Sequence, residues 1–184
     1  MTRDVVERAQ RGEHEAFEAL ARASIDRLYA IARRVLRDDA AAEDAVQECL
    51  VRAWRDVRAL RDPERFDAWI YRLLMHACRD EQRRLRRRPS VVEISPIDSA
   101  SGRDEAADVA RRDQIERGFR ALTVEHRMAL ALHHYLGLGA REIAELLGIP
   151  EGTATSRIHY GTRALRAALS ADLVLAPAER EAAR

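Results

Sequence analysis

Residues 139–166, GAREIAELLGIPEGTATSRIHYGTRALR, decide how the chain is read. Ile143, Ala144 and Leu147 recur at helical steps, and Gly148 stands where such a helix ends, since glycine enters the left-handed backbone region without steric penalty. Pro150 opens the next segment, where a missing N–H matters least. The spacing predicts two short helices across a tight turn, the pattern of a helix-turn-helix. In the second helix Gly152, Thr153, Ala154 and Thr155 are small enough to approach a groove wall. Ser156, Arg157, His159, Tyr160 and Arg163 reach phosphates or base edges, while Ile158 and Leu165 turn inward. Arg157 and Arg163 lie six residues apart, about 240° of net rotation, so they do not share a face. Ser156, Tyr160 and Arg163 form a stripe assigned to the groove, with Arg157 leaning to a flanking phosphate. An ordinary helical hairpin with a solvated arginine face explains the same spacing equally well.

Working outward, Gly137 and Gly139 separate this pair from a helix over residues 124–136, and an earlier helix is expected over 104–122. Pro89, Ser90, Ser95, Pro96, Ser99, Ser101 and Gly102 make residues 89–103 a flexible linker. Three helices precede it. Phe17, Leu20, Leu28, Ile31 and Val35 mark the first; Ala42, Ala45, Val46, Cys49, Leu50, Ala53 and Trp54 the second; Phe66, Trp69, Ile70, Leu73, Leu74 and Ala77 the third. Asp39 is the expected cap of the second, and Asp62 before Pro63 a start signal near the third, after a charged loop over 56–65. The tail beyond Ala171 is expected to fray. The fold class is therefore all-α, with two small helical domains, 1–88 and 104–184, joined by a flexible linker over 89–103.

Bulk properties agree. Nearly half of the 184 residues are apolar, enough for real cores, and the net charge of +1 leaves any case for nucleic acid to local clustering. All basic residues are Arg, whose planar fork grips phosphate or guanine through two hydrogen bonds, although a GC-rich coding sequence explains the same bias. Cys49 and Cys78 sit on apolar stripes without CxxC spacing or a histidine pair, as buried reduced thiols do, so neither a metal nor a cofactor is expected. No apolar run approaches the roughly 18 residues that span a bilayer, and the N-terminus is too charged for a signal peptide, so a cytoplasmic protein is expected.

Two clusters stand in the first half. Residues 79–88, RDEQRRLRRR, make a basic helix end, with dipole-compensating charge before a solvated linker as the other reading. Glu43, Asp44, Gln47 and Glu48 give the second helix an acidic shoulder that by itself reads best as a solvated face.

Together these segments do more than separately. AAEDAVQECLVRAWRDV at 41–57, FDAWIYRLLMHACRDEQRRLRRR at 66–88 and LTVEHRMALALHHYLGLGAREIAELLGIPEGTATSRIHYGTRALR at 122–166 closely resemble, in this order, the extracytoplasmic-function sigma factors of bacterial RNA polymerase. The resemblance covers roughly residues 14–88 and 115–168, regions 2 and 4 of that family. It implies an adaptor that brings core polymerase to promoter DNA, melts it and starts transcription, with no catalytic residues. Asp44, Gln47, Glu48, Arg52 and Trp54 become contacts to the beta-prime clamp. The loop over 56–65, with Arg58, Arg61 and Arg65, matches the family's loop that captures a base flipped from the minus-ten element. Trp69, Arg72, His76, Asp80, Arg83 and Arg84 line the single-strand path beyond it. Thr153, Thr155, Ser156, Arg157, His159, Tyr160 and Arg163 face the minus-thirty-five element as duplex, next to the beta flap. Family habit adds an anti-sigma factor as partner.

The chain departs from the family at several positions. His76 stands where Asn is usual, and Thr155 and Tyr160 stand where a basic residue often does. Gly139 as a cap costs tenths of a kcal/mol, and Gly161 inside the reading helix about 1 kcal/mol relative to Ala. A stand-alone repressor would use the same helix-turn-helix but has no reason to carry AEDAVQE, and a protein-binding helical module leaves the Arg-rich segment and the GIPEGT turn as accidents. His133 and His134 are adjacent, point apart on a helix and lack any accompanying nucleophile or paired carboxylate, so an enzyme is the weakest reading.

Overall fold

The computed structural model describes residues 3–87, 118, 119 and 122–181; among them the regular elements are helices and two 3-10 turns, without a strand. The expected linker and most of the helix expected over 104–122 lie outside the described residues; of that helix, residues 118 and 119 are helical, and Phe119 and Leu122 are buried. Helix α1 (Arg3–Gln10) precedes the three helices read from the sequence and was not anticipated. It is short and half charged, and only Val6 and Ala9 are buried, too little apolar surface to register in a sequence.

Helix α2 (His14–Leu36) and helix α3 (Asp39–Asp56) follow. Asp38, not Asp39, caps α3: its backbone is extended, and its carboxylate accepts the Ala41 N–H at 2.7 Å. Asp39 is already helical and pairs with Arg33 of α2 at 2.9 Å. Two 3-10 turns, Val57–Ala59 and Pro63–Arg65, then lead into α4 (Phe66–Arg87); Asp62 caps the second turn by accepting the Glu64 N–H at 3.0 Å. The inner stripe of α3, Ala42, Ala45, Cys49 and Ala53, is small and packs into a core with Leu20, Leu28 and Ile31 of α2 and Phe66, Ile70 and Leu74 of α4. Burial pushes the Cys49 thiol up to about 12 and the Cys78 thiol higher still, so both stay protonated and unreactive.

Among the described residues from 122 on, three helices build the second unit: α5 (Val124–Leu136), α6 (Ala140–Leu147) and α7 (Glu151–Glu181). Gly137 and Gly148 both take the left-handed conformation that ends α5 and α6, with φ of 67° and 65°. Pro150 presents its carbonyl to the N–H groups of Thr153 and Ala154, which starts α7. Helical backbone continues past Ala171 to Glu181, where fraying was expected.

Gly161 corrects the sequence reading more sharply. A Cβ there would lie 2.9 Å from both Cγ and Cδ1 of Leu130, which is fully buried in α5. The glycine is therefore the condition for α7 to close on α5 and not only a loss of helix propensity. Gly161→Ala should destabilise the protein by about 1 kcal/mol in urea denaturation although alanine is the better helix former, because overpacking outweighs propensity. A stabilised variant would show that Leu130 moves aside freely.

Candidate polymerase and promoter interfaces

Helix α3 turns its second face to solvent. Asp44 and Gln47 are exposed, and Val51 (38% exposed) and Trp54 (40%) continue the same stripe at steps of four and three. Sequence reasoning missed Val51, because an apolar residue beside Leu50 reads as core; its one-turn distance from Gln47 was the available signal. Trp54 is not loose: its ring meets His14 and Phe17 of α2 edge-on at 5.3 and 5.0 Å between centroids. Glu48 and Arg52 are engaged elsewhere. The Arg52 guanidinium holds Glu48 at 2.7 Å and reaches across to Asp80 of α4 at 3.1 Å. Two residues expected in different interfaces, Arg52 and Asp80, are thus joined to each other, and Asp80 acts first as a strut between α3 and α4.

On α4, Trp69, Arg72, His76, Asp80 and Arg83 follow at steps of three, four, four and three and share one face, a row about 21 Å long. Trp69 is half-buried against Phe66, with ring centroids 5.8 Å apart; Arg72, His76 and Arg83 are exposed. Arg84 is turned to the flank, where it pairs at 3.1 Å with the buried carboxylate of Glu81. Burial, and next the charge of Arg79, lower the His76 imidazole below the usual histidine value, so it is neutral at pH 7 and accepts a proton only in more acidic solution. Arg58, Arg61 and Arg65 project from the two 3-10 turns and the short link between them, all exposed.

In α7 the inner stripe is Ala154, Ile158, Gly161 and Leu165, and Gly152, Ser156, His159 and Arg163 lie opposite. Gly152, Thr155, His159, Tyr160 and Arg163 are exposed; Thr153 and Ser156 are half-buried, and the Ser156 hydroxyl donates to the Thr153 carbonyl at 2.9 Å. Arg157 is half-buried on the flank of that face, close enough to Arg79 of α4 for the two charges to oppose each other.

The chain is similar to known proteins over both units. The model of sigma-70 region 2 matches residues 20–88 and that of sigma-70 region 4 matches residues 112–165. The ECF RNA polymerase sigma factor SigL of Mycobacterium tuberculosis is 37% identical over 165 residues, 86% of this chain and 93% of SigL. This chain belongs to the extracytoplasmic-function sigma factors. SigW of Bacillus subtilis, another member, is 25% identical over 90% of this chain and 95% of its own. Among solved structures, CnrH in complex with the cytosolic domain of CnrY matches with a TM-score of 0.65 and 25% identity, covering 92% of this chain and 97% of CnrH. RpoE of Bartonella quintana, solved with the anti-sigma factor NepR, has the same fold, with a TM-score of 0.70, 20% identity and coverage of 85% and 98%.

In this sigma factor the two regions share a seam. Helix α2 packs on α5 and α4 on α6. Arg72 donates to the Glu145 carbonyl at 3.4 Å and Arg79 to the Leu147 carbonyl at 3.3 Å, so region 2 supplies donors to the end of α6, where the last carbonyls have no partner within the helix. Burial first and Arg157 second lower the Arg79 guanidinium from its ordinary value, though it stays charged at any relevant pH. Arg34 donates to the Tyr135 hydroxyl at 2.8 Å, and Arg65 approaches Glu145 at 3.9 Å, an exposed pair that contributes little. Two members of the expected minus-ten set, Arg65 and Arg72, therefore touch region 4. Replacing both Arg72 and Arg79 by Ala should loosen the seam and raise the radius of gyration in small-angle scattering, whereas Arg163→Ala, away from the seam, should leave it unchanged. Identical scattering of the double variant and the parent would show that apolar packing alone holds the regions together.

Proposed function

We propose that this promoter-recognising sigma factor works as a non-catalytic adaptor through three surfaces. The Asp44, Gln47, Val51 and Trp54 stripe of α3 docks on the beta-prime clamp of core polymerase, with Glu48 and Arg52 bracing it from the side. The loop over 56–65 receives a base flipped from the minus-ten element, and the α4 row guides the single strand. Helix α7 enters the minus-thirty-five groove beside the beta flap. The α4 row carries the reading: an aromatic ring leads exposed arginines along one face next to an arginine-bearing loop, as a single-strand path requires. Flipping costs a few kcal/mol of stacking, and stacking on a ring such as Trp69 returns about 1 to 3 kcal/mol per base. Arg72 serves this path only once α6 has moved off α4, so the reading includes separation of the two regions on polymerase.

A protein inhibitor also fits. CnrH and RpoE were both solved with protein partners, and NepR is an anti-sigma factor. We infer an anti-sigma partner for this chain and a cytoplasmic place of work beside polymerase. Among the described residues no helix is long and apolar enough to cross a membrane.

Transcription from a promoter library with purified core polymerase, with and without the protein, tests the reading as a whole. Asp44→Arg and Gln47→Ala should each weaken core binding in pull-down while leaving circular dichroism unchanged. Undiminished capture by both variants would remove α3 from the interface.

Region 4 separates gripping from reading. Arg157→Ala should weaken duplex binding about equally on all sequences and lower the salt slope by about 1, while Arg163→Ala should relax preference at one or two base pairs by roughly 1 to 3 kcal/mol. Salt titrations on specific and scrambled duplexes measure both. An unchanged slope together with unchanged discrimination would mean that this side of α7 does not face DNA.

A further inference from the structure

We propose that Gln10 is a positioning residue for the minus-ten loop: its side-chain amide presets the loop's shape before DNA arrives. The inference rests on reading residues 56–65 as the base-capturing loop. Gln10 is the last residue of α1, and its Nε2 donates to two carbonyls far along the chain, Val57 at 3.2 Å and Leu60 at 2.6 Å. These are the first residue of the 3-10 turn and the residue that closes it; the Leu60 N–H also returns to the Val57 carbonyl at 3.2 Å. The two protons on its amide nitrogen let one atom hold both oxygens at once.

The turn after α1 is built to keep Gln10 in place. Gly12 N–H donates to the Ala9 carbonyl at 3.0 Å and Glu13 N–H to the Arg8 carbonyl at 3.2 Å, and the Arg8 side chain holds Glu13 at 2.7 Å. Gly12 has φ of +94°, and a Cβ there would lie 2.6 Å from Nη2 of Arg58, so the guanidinium rests directly on the turn. One of the arginines expected at the minus-ten element is thereby placed by the same turn. Val57 is buried, and α1 packs against both 3-10 turns. With Val57–Leu60 held at one end and Pro63–Arg65 capped by Asp62 at the other, Arg61 and Asp62 alone bridge the two turns. The loop then meets a flipped base with its backbone already ordered, and the entropy of ordering is not subtracted from binding.

Gln10→Met removes both donors at nearly the same volume, and Gln10→Lys keeps donors at that place. Trypsin cleavage of the full chain after Arg58, Arg61 and Arg65 should be about tenfold faster in Gln10→Met, the factor expected for two half-buried hydrogen bonds, and close to the parent rate in Gln10→Lys. In transcription with core polymerase on promoters varied at single minus-ten positions, Gln10→Met should lose several-fold of its preference at the captured base. Core binding and minus-thirty-five binding should stay at parent values, while the thermal midpoint falls by about 2 to 4 °C, the shift that a tenfold loss implies for a chain of this size. Arg61→Ala serves as the loop control. Unchanged cleavage in Gln10→Met overturns the clamp. Faster cleavage with unchanged base preference, while Arg61→Ala does shift that preference, overturns Gln10 as a positioning residue and leaves the loop reading standing. If Arg61→Ala, too, leaves base preference untouched, the loop reading falls and this proposal with it.

Discussion

Ala42, Ala45, Cys49 and Ala53 form the inner stripe of α3, and because each is small, α2 and α4 close on it together. A larger residue at any of them would part the three helices, since cores packed at crystal density absorb even one methylene poorly. This close approach also sets the outward geometry. With its small side turned in, α3 presents Asp44, Gln47, Val51 and Trp54, while α4 presents Trp69, Arg72, His76 and Arg83. Arg52 fixes the two helices relative to each other by holding Glu48 and Asp80 together. The α3 stripe and the α4 row are thereby held in a fixed relation to each other.

The second unit depends on the same economy of small residues. Gly161 admits Leu130 between α7 and α5, and Gly148 turns the chain sharply enough for α6 to pack on α7. The carbonyl end of α6 then meets Arg72 and Arg79. Such an end attracts cations both through its unpaired oxygens and through the negative end of the helix dipole. In this arrangement the α3 stripe stays open to solvent while part of the α4 row is engaged, so the two faces differ in accessibility.

Much of this was legible in the chain. The helical period, the glycine and proline punctuation of residues 137–150 and the buried thiols follow from local chemistry, and each appears where it was read. What went unread shares a cause. Asp38 and Asp39 are equally good caps on paper, and only the extended backbone at Asp38 separates them. The pair formed by Arg52 and Asp80, 28 residues apart, went unseen because nothing local brings them together. Helix α1 carries too little apolar surface to announce itself, yet its last residue reaches a turn 50 residues away.

What the sequence by itself determined is the helices from α2 to α7 and the order of the two regions, because helix periodicity, caps and turn residues act within a few residues of one another. Family membership followed from motifs of the same short range. Tertiary structure alone decided which charged side chains remain available. Arg52, Asp80, Arg72 and Arg79 look alike as solvated charges in the chain; packing turns the first two into a strut and the last two into caps on a helix of the other region. The physical reason is that unpaired carbonyls and carboxylates recruit whichever cation the fold brings within reach, and reach is a property of the assembled helices.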